Sequence, residues 1–190
     1  MAADLKRCSW AGNDLLYQKY HDEEWGQAVH DDQKLFEFLI LETFQAGLSW
    51  ITILRKRENF REAFDQFDYK KVATYDEQKE SELLQNAGII RNKLKIKAAI
   101  NNAQAFMKVQ EEFGSFDHYM WGFVNHQPLI NHFDSLSEVP AKTPLSDEFS
   151  KDLKQRGFKF VGSTVVYAHM QACGMVNDHV VTCFRHPENK

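Results

Sequence analysis

The chain has 190 residues, 43% of them hydrophobic, and a formal net charge of -4 at pH 7. This length and apolar content predict a single domain, residues 1–190, with its own core. Glu42 interrupts the longest apolar run, which excludes a membrane-spanning helix. The negative charge excludes attraction of nucleic acid by the whole surface, so such binding must come from the basic patches at 55–61, 91–97 and 151–159.

The cysteine count and the first residues favour a reducing compartment. Three cysteines is an odd number for a disulfide framework. The chain begins without the charged and apolar segments of a secretory signal. We therefore expect a cytoplasmic protein with no membrane partner, and nothing in the sequence requires more than a monomer.

Helical periodicity runs along nearly the whole chain. Asp31 or Asp32 can cap a helix that ends at Gly47, and Ser49 can cap the next one. Further helices are predicted at 76–87, 92–112, 116–124, 146–156 and 163–173. The polar segment 125–146 holds three of the four prolines and is predicted to be a surface connection. No segment shows the sustained alternation of apolar and polar residues that is typical of an exposed strand. The sequence therefore predicts an all-α, irregular helical bundle.

Two pairs of residues at opposite ends of the chain are candidate metal ligands: Cys8 with His21, and His179 with Cys183. A Cys2His2 set is a closed tetrahedron typical of structural zinc, and it would join the two terminal segments. The spacing leaves two other interpretations open. The cysteines could be buried apolar thiols beside satisfied histidines, or they could form a disulfide.

Glu42 shares a predicted helix face with Leu35, Leu39 and Ala46, and that face should meet the core. A carboxylate buried there must be paired, hydrogen-bonded or used on a ligand. A buried ion pair with an arginine is one interpretation, and a ligand-binding carboxylate is the other.

Aromatic residues accompany Glu42. Tyr17, Tyr20 and His21 are spaced to share one side of a helix. These aromatic residues could form a core, or they could form a pocket that sandwiches a flat, electron-poor ring whose edge donates to Glu42. The candidate wall residues are Trp10, Tyr17, Tyr20, Trp25 and Trp50.

The segment from Leu83 to Lys95 has the outline of a helix-hairpin-helix. One helix stops at Gly88, two apolar residues follow, and basic residues begin the next helix. Such a hairpin offers backbone N–H groups and a helix N-terminus to a phosphate. Any helical hairpin with a solvated basic face gives a similar pattern.

Six segments, in the same order along the chain, resemble the bacterial 3-methyladenine DNA glycosylase I family, within the helix-hairpin-helix DNA glycosylases. The resemblance runs from about Arg7 to Cys183, which makes it more specific than any single motif. The segments are Cys8–Trp10, Tyr17–Gly26, Leu41–Trp50, Phe123–Pro128, Arg156–Gly162 and Asn177–His179.

The resemblance implies a monofunctional base-excision repair enzyme. It would flip 3-methyladenine out of alkylated double-stranded DNA, hydrolyse the N-glycosidic bond, and leave an abasic site and the free base. The matching catalytic and base-recognising residue is Glu42, and the matching aromatics are Tyr17, Tyr20 and Trp50, with Trp10 and Trp25 as further wall residues.

The resemblance also implies one structural Zn2+ per chain and a defined DNA-contacting surface. The four matching metal ligands, Cys8, His21, His179 and Cys183, are all present. The implied DNA-binding residues are Gln45, Gly47 and Leu48 in a wedge turn, and Gly88, Arg91, Lys93 and Lys159 toward phosphates.

The sequence departs from the wider helix-hairpin-helix glycosylase pattern in two ways, and both concern the mechanism. The hairpin lacks the Leu-Pro-Gly-Val-Gly string of the wider superfamily, and no general-base aspartate can be placed. Asp178 is the one runner-up, and a helix-capping role or a role in holding His179 is favoured for it. Two rival functions remain at this point: a zinc hydrolase, and a non-enzymatic, zinc-stabilised nucleic-acid-binding module.

Overall fold

The computed structural model describes residues 5–189, and helices dominate that range. The predicted all-α class is therefore confirmed. The helices are α1 (Leu15–Glu23), α2 (Asp32–Gln45), α3 (Trp50–Arg55), α4 (Arg57–Ala63), α5 (Tyr69–Val72), α6 (Glu77–Gln85), α7 (Lys93–Phe113), α8 (Phe116–Gly122), α9 (Pro144–Gln155) and α10 (Ser163–Ala172).

Polar caps set several helix starts. The Asp31 side chain accepts from the backbone N–H of Lys34 at the start of α2. Asn92 caps α7 in the same way. Ser49 takes the N-cap position of α3, but its hydroxyl contacts that of Thr52 and caps no backbone N–H. Prediction missed α4 and α5, which are too short to show a clear period.

The central helix is α2, whose residues 35–44 are all buried. A helix that is apolar on every side lies inside a domain. It packs against α3, α7, α8 and α10. This position buries two carboxylates, Glu37 and Glu42, so each needs a partner or a ligand.

Two short strands, β1 (Leu129–Ile130) and β2 (Val176–Asn177), form a parallel pair that periodicity did not predict. Leu129 pairs with Val176, and Ile130 pairs with Asn177. A two-residue strand carries too little alternation to be recognised in a sequence. The pair fixes the connection 125–146 beside the segment that follows α10.

None of the described helices has both the length and the apolar character that crossing a bilayer requires.

Candidate active site and metal centre

A cavity of about 270 Å³ opens between α1, α2, α3 and α10. Drug-sized ligands occupy pockets of about 300–1,000 Å³, so this cavity suits one small ring system. All six residues predicted for the base pocket line it: Trp10, Tyr17, Tyr20, Trp25, Glu42 and Trp50. The structure adds Gln45, Leu136, Val139, Pro140, Ala168 and Gln171 to the wall.

The added wall residues show what the sequence interpretation missed. Leu136, Val139 and Pro140 belong to the predicted surface connection, which the structure places across one side of the cavity. Their local signal was prolines in a polar stretch, which is typical of an exposed loop. The approach of this segment to α10 depends on the β1–β2 pairing.

Glu42 is buried in the cavity wall without a compensating cation. Only 4% of the residue is exposed, and its Oε2 has no hydrogen-bond partner among the described residues. Burial raises the pKa of Glu42 to about 8. The buried ion pair considered from sequence therefore does not form at Glu42. It forms at Glu37, whose carboxylate accepts from Arg57 at 2.6 Å.

The aromatic side chains form one contacting set around the cavity, in which the ring centroids of Trp10 and Tyr20 are 6.3 Å apart. Trp10 contacts Tyr17 and Trp25, with ring centroids 4.9 and 5.0 Å apart. Tyr20 contacts Trp50 at 5.4 Å. The Nε1–H of Trp50 is buried and has no acceptor among residues 5–189. The cavity therefore combines aromatic faces with one unpaired donor and one unpaired acceptor.

The four predicted metal ligands meet behind this wall. Cys8, His21, His179 and Cys183 are all buried. The Sγ of Cys183 lies 3.4 Å from His21 Nε2 and 3.5 Å from His179 Nδ1. The Sγ of Cys8 lies 3.6 Å from His179 Nδ1. Zinc bond lengths of about 2.3 Å to sulfur and about 2.0 Å to nitrogen give a separation of about 3.5 Å at the tetrahedral angle.

We call these four residues the clasp, and their surroundings also fit a metal. Both cysteines are free thiols, which removes the disulfide interpretation. A hydrogen bond from Cys8 lowers the pKa of Cys183, and the same hydrogen bond raises the pKa of Cys8. The apolar-thiol interpretation is also disfavoured, because a thiolate in this position is a ligand ready for a cation.

Outer hydrogen bonds fix both histidine rings. The Nδ1 of His21 lies 2.8 Å from an Asp22 oxygen, and Arg7 also binds that carboxylate. The Nε2–H of His179 donates to the Trp25 carbonyl at 3.0 Å. Each ring therefore directs its other nitrogen at the thiols, which is the arrangement typical of metal-binding histidines.

Asp178 does not hold His179 as predicted. Its carboxylate accepts from the Tyr167 hydroxyl at 2.6 Å, from Gln171 at 2.8 Å and from Asn131 at 2.7 Å. Three donors stabilise this buried carboxylate. The hydrogen-bond acceptor for the His179 ring is the Trp25 carbonyl and not Asp178. Asp178 instead connects β1, α10 and the segment after β2.

The turn between α2 and α3 brings three predicted DNA-binding residues to the edge of the cavity. Ala46 has φ -47° and ψ 116°, Gly47 has φ 81°, and Leu48 N donates to Gln45 O at 2.7 Å. This is a type II turn, in which the positive φ favours glycine. Gln45 lines the cavity, and the Leu48 side chain is exposed.

The hairpin between α6 and α7 lies beside this turn. The ammonium of Lys95, in the first turn of α7, donates to the carbonyls of Phe44 at 2.8 Å and Ala46 at 2.6 Å. Lys95 therefore stabilises the C-terminus of α2 and is not available to a phosphate. Arg91 and Lys93 are exposed.

Gly88 has a packing role that limits its predicted contact with phosphate. Its N–H already donates to the Asn86 side chain at 2.8 Å. A Cβ at this position would lie 2.9 Å from Asn86 Oδ1 and 3.1 Å from Asn59.

The N–H groups of Ile90 and Arg91 make no backbone hydrogen bond within the described range, so these two N–H groups can face a phosphate.

The three basic patches differ in how free their charges are. Acidic partners occupy the first patch, since Arg55 pairs with Asp14 and Arg57 pairs with Glu37 and Glu24. That patch is therefore largely a network of ion pairs, which leaves it fewer free charges for a nucleic acid. Lys159 in the third patch is exposed, and its backbone is held by Asn102.

Comparison with known proteins identifies the family. A family model described as methyladenine glycosylase matches residues 10–186. The chain belongs to the methyladenine glycosylase family.

Named relatives of this family match over nearly their full lengths. DNA-3-methyladenine glycosylase 1 of Escherichia coli K12 is 53% identical over 186 residues, which cover 98% of this chain and 100% of the relative. The DNA-3-methyladenine glycosylase of Haemophilus influenzae is 48% identical over 177 residues, covering 93% and 96%.

A solved structure shares the fold. It is 3-methyladenine DNA glycosylase I from Staphylococcus aureus, reported with the structural basis of its 3-methyladenine recognition. It is 36% identical to this chain with a TM-score of 0.93, and the match covers 96% of this chain and 97% of that one. These findings confirm the family resemblance predicted from the six sequence segments.

Proposed function

We propose that this methyladenine glycosylase family member hydrolyses the N-glycosidic bond of 3-methyladenine in alkylated double-stranded DNA. The observation that carries the proposal is an unpaired, buried Glu42 in an aromatic cavity sized for one small ring system. The family membership supports it, and relatives that match over at least 96% of their length bear the same activity in their names.

Glu42 is suited to select a cationic base. Methylation at N3 places a positive charge on the adenine ring of the nucleotide. That charge favours the ionised form of Glu42, whose pKa burial raises to about 8. The carboxylate then accepts a hydrogen bond from the exocyclic amino group, while the faces of Trp50 and the tyrosines attract the cation.

The chemical step needs little help from the enzyme beyond positioning. The methylated base departs as a neutral molecule, so it is a good leaving group without further protonation. As the bond between C1′ and the base breaks, positive charge moves from the base to the sugar. Water then adds to C1′ and loses a proton to the solvent, which leaves a neutral abasic site. Glu42 and the aromatic wall hold the base in line for this step. No side chain forms a covalent bond, so the DNA strand stays intact.

The DNA-contacting elements surround the cavity mouth. Gln45 lines the cavity, and the carbonyl of Ala46 accepts from Lys95. Lys95 lies in the first turn of the helix that begins at Lys93, two residues after Arg91. We propose that Leu48 enters the base stack at the lesion, while the hairpin and Lys159 bind phosphates. The contact of Lys95 with Ala46 supports this proposal, because it joins the hairpin to the turn that borders the pocket.

We propose that the clasp holds one Zn2+, since its donor set and distances fit that ion. Cys8, His21, His179 and Cys183 would supply all four ligands. When bound, the ion would join the two terminal segments and supply no open position for water. This closed set argues against the zinc-hydrolase alternative.

A non-enzymatic nucleic-acid-binding module would explain the hairpin but not the pocket. Leaving a carboxylate buried without a partner costs several kcal/mol. A module that only binds DNA gains nothing from that cost at Glu42. The enzyme gains base selection, so the buried glutamate favours the glycosylase.

The test is to incubate the full-length protein with randomly methylated duplex DNA and to identify the released base by mass spectrometry. We expect free 3-methyladenine, together with abasic sites in strands that remain uncut until alkali is added. Binding of the DNA without any released base would support the non-enzymatic module instead.

A further inference from the structure

A second group of potential metal ligands lies outside the clasp, where segment 131–133 passes the C-terminal turn. His132, His186 and Glu188 each offer a ligand atom, and these atoms lie within 4.8 Å of one another. The Nε2 of His132 is 2.8 Å from Glu188 Oε1, and the two imidazole centroids are 5.2 Å apart. Within residues 5–189, this group and the clasp are the two such clusters of three or more.

His186 is arranged as a metal ligand would be. The residue is fully buried, and its Nε2 faces the Asn131 carbonyl at 3.2 Å. A carbonyl only accepts, so Nε2 carries the proton and Nδ1 of the neutral ring keeps a lone pair. Among the residues that the structure describes, that lone pair meets only the Glu188 backbone N–H, at a long 3.4 Å. A carbonyl that fixes the tautomer is typical of metal-binding histidines.

An ion pair alone does not account for this group. His132 and Glu188 would suffice for a pair, as His30 and Asp117 do elsewhere at 2.7 Å. Here the third group, His186, is held rigidly beside them. The side chains of His132 and Glu188 are 52% and 66% exposed, so both can rotate toward an ion near His186.

We propose that His132, His186 and Glu188 form a second, exchangeable site for a divalent transition metal. Two imidazoles and one carboxylate suit Zn2+, Ni2+ or Cu2+. Ligand atoms in a tetrahedral site of this kind lie about 3.3 Å apart, which small rotations of the two exposed side chains can reach. Three protein ligands leave a position for water, so the ion exchanges with solvent more readily than one in the clasp.

The site would tie segment 131–133 to the C-terminal turn, next to the clasp. Phe133 O accepts from Val181 N at 2.9 Å, and Asn131 N donates to Asn177 O at 3.0 Å. Metal binding would therefore strengthen an attachment that already exists through the backbone. The connection that reaches the base cavity begins at this attachment.

Calorimetric titration of the tag-free, zinc-loaded full-length chain with Ni2+ tests the proposal. We expect one Ni2+ per chain in addition to the zinc already present, with no thiolate-to-nickel absorption band. His132→Ala and Glu188→Gln should each weaken binding at least about tenfold. Both residues are exposed, so the variants should keep the fold, which a circular dichroism spectrum checks.

Two control variants remove histidines of similar exposure. His30→Ala breaks a histidine–carboxylate pair, and His118→Ala breaks a stacked pair of histidines with centroids 4.8 Å apart. Both should leave the Ni2+ affinity unchanged. The proposal is overturned if Ni2+ does not bind, if it binds only with thiolate absorption, or if His132→Ala leaves the affinity at the wild-type value.

Discussion

The Nε2–H of His179 donates a hydrogen bond to the backbone carbonyl of Trp25 at 3.0 Å, and the two rings meet edge to face with centroids 4.7 Å apart. His179 belongs to the clasp, whereas Trp25 lines the base cavity. His21, another clasp residue, follows Tyr20 of the cavity wall. The clasp therefore positions one wall of the cavity, although none of its four residues lines the cavity.

Removing one clasp ligand should remove the metal and loosen that wall. We expect Cys183→Ser to lose the one metal ion per chain, lower the melting temperature and reduce excision. Metal analysis and thermal unfolding measure these effects. The control is Cys173→Ser, because Cys173 is equally buried but lies outside the clasp. A Cys183→Ser protein that keeps a full equivalent of metal would contradict the assignment.

Burial of Glu42 should make stability depend on pH. Its pKa is about 8 in the folded state and about 4.5 when exposed, so the folded state holds the proton more tightly. This group therefore stabilises the fold fully below pH 4.5, and that contribution is lost as pH rises to about 8. The slope approaches about 1.4 kcal/mol per pH unit inside this window.

Denaturant unfolding of wild type and Glu42→Gln across pH 4 to 9 isolates this effect, since all other titrations are common to both. We expect the glutamine variant to gain stability relative to wild type as pH rises. A difference in unfolding free energy that stays constant over the range would show that Glu42 is ionised or solvated in the folded protein.

Arg91 and Lys93 should contribute to phosphate binding. Each phosphate contact adds about 0.9 to the slope of log affinity against log salt concentration, so Arg91→Gln with Lys93→Gln should reduce the slope by about 2. Fluorescence anisotropy on duplex DNA gives this slope. Lys108→Gln is the matched control, because Lys108 is exposed on the same helix about 22 Å further along. An unchanged slope in the double variant would rule out both contacts.

Leu48 should act on the DNA stack and not on the base. Its side chain is exposed at the tip of the type II turn, so Leu48→Ala leaves the fold intact. We expect at least about tenfold slower excision from duplex DNA, because base flipping costs a few kcal/mol. Affinity for free 3-methyladenine should not change. Leu15→Ala, at an exposed leucine of α1, should have no effect on either measurement.

The sequence predicted the all-helical fold and most long helices because caps and apolar periods are local. Asp31 and Asn92 begin helices as expected. Prediction missed the β1–β2 pair and the wall formed by Leu136, Val139 and Pro140, since both depend on contacts between distant segments.

The partners of charged side chains also depend on contacts between distant segments, so the sequence did not predict them. Glu37 and Glu42 lie five residues apart in one buried helix, and the placement of Arg57, Arg61 and Lys34 around Glu37 decides which of them is paired. Arg57 and Lys95 looked like surface charges, but both bind buried acceptors. The aromatic side chains and Glu42 in the cavity wall were predicted from the sequence, whereas their geometry and the rest of the wall required the structure.

The most direct test of the account is the single-turnover rate of 3-methyladenine release by Glu42→Gln. A lost hydrogen bond to a charged group is worth about 1.5–3 kcal/mol, so we expect excision about 10- to 100-fold slower. Glu37→Gln is the control, because Glu37 is buried in the same helix but does not line the cavity. Rates are compared at equal folded fractions. Excision by Glu42→Gln at the wild-type rate would contradict the central claim that this carboxylate selects the cationic base.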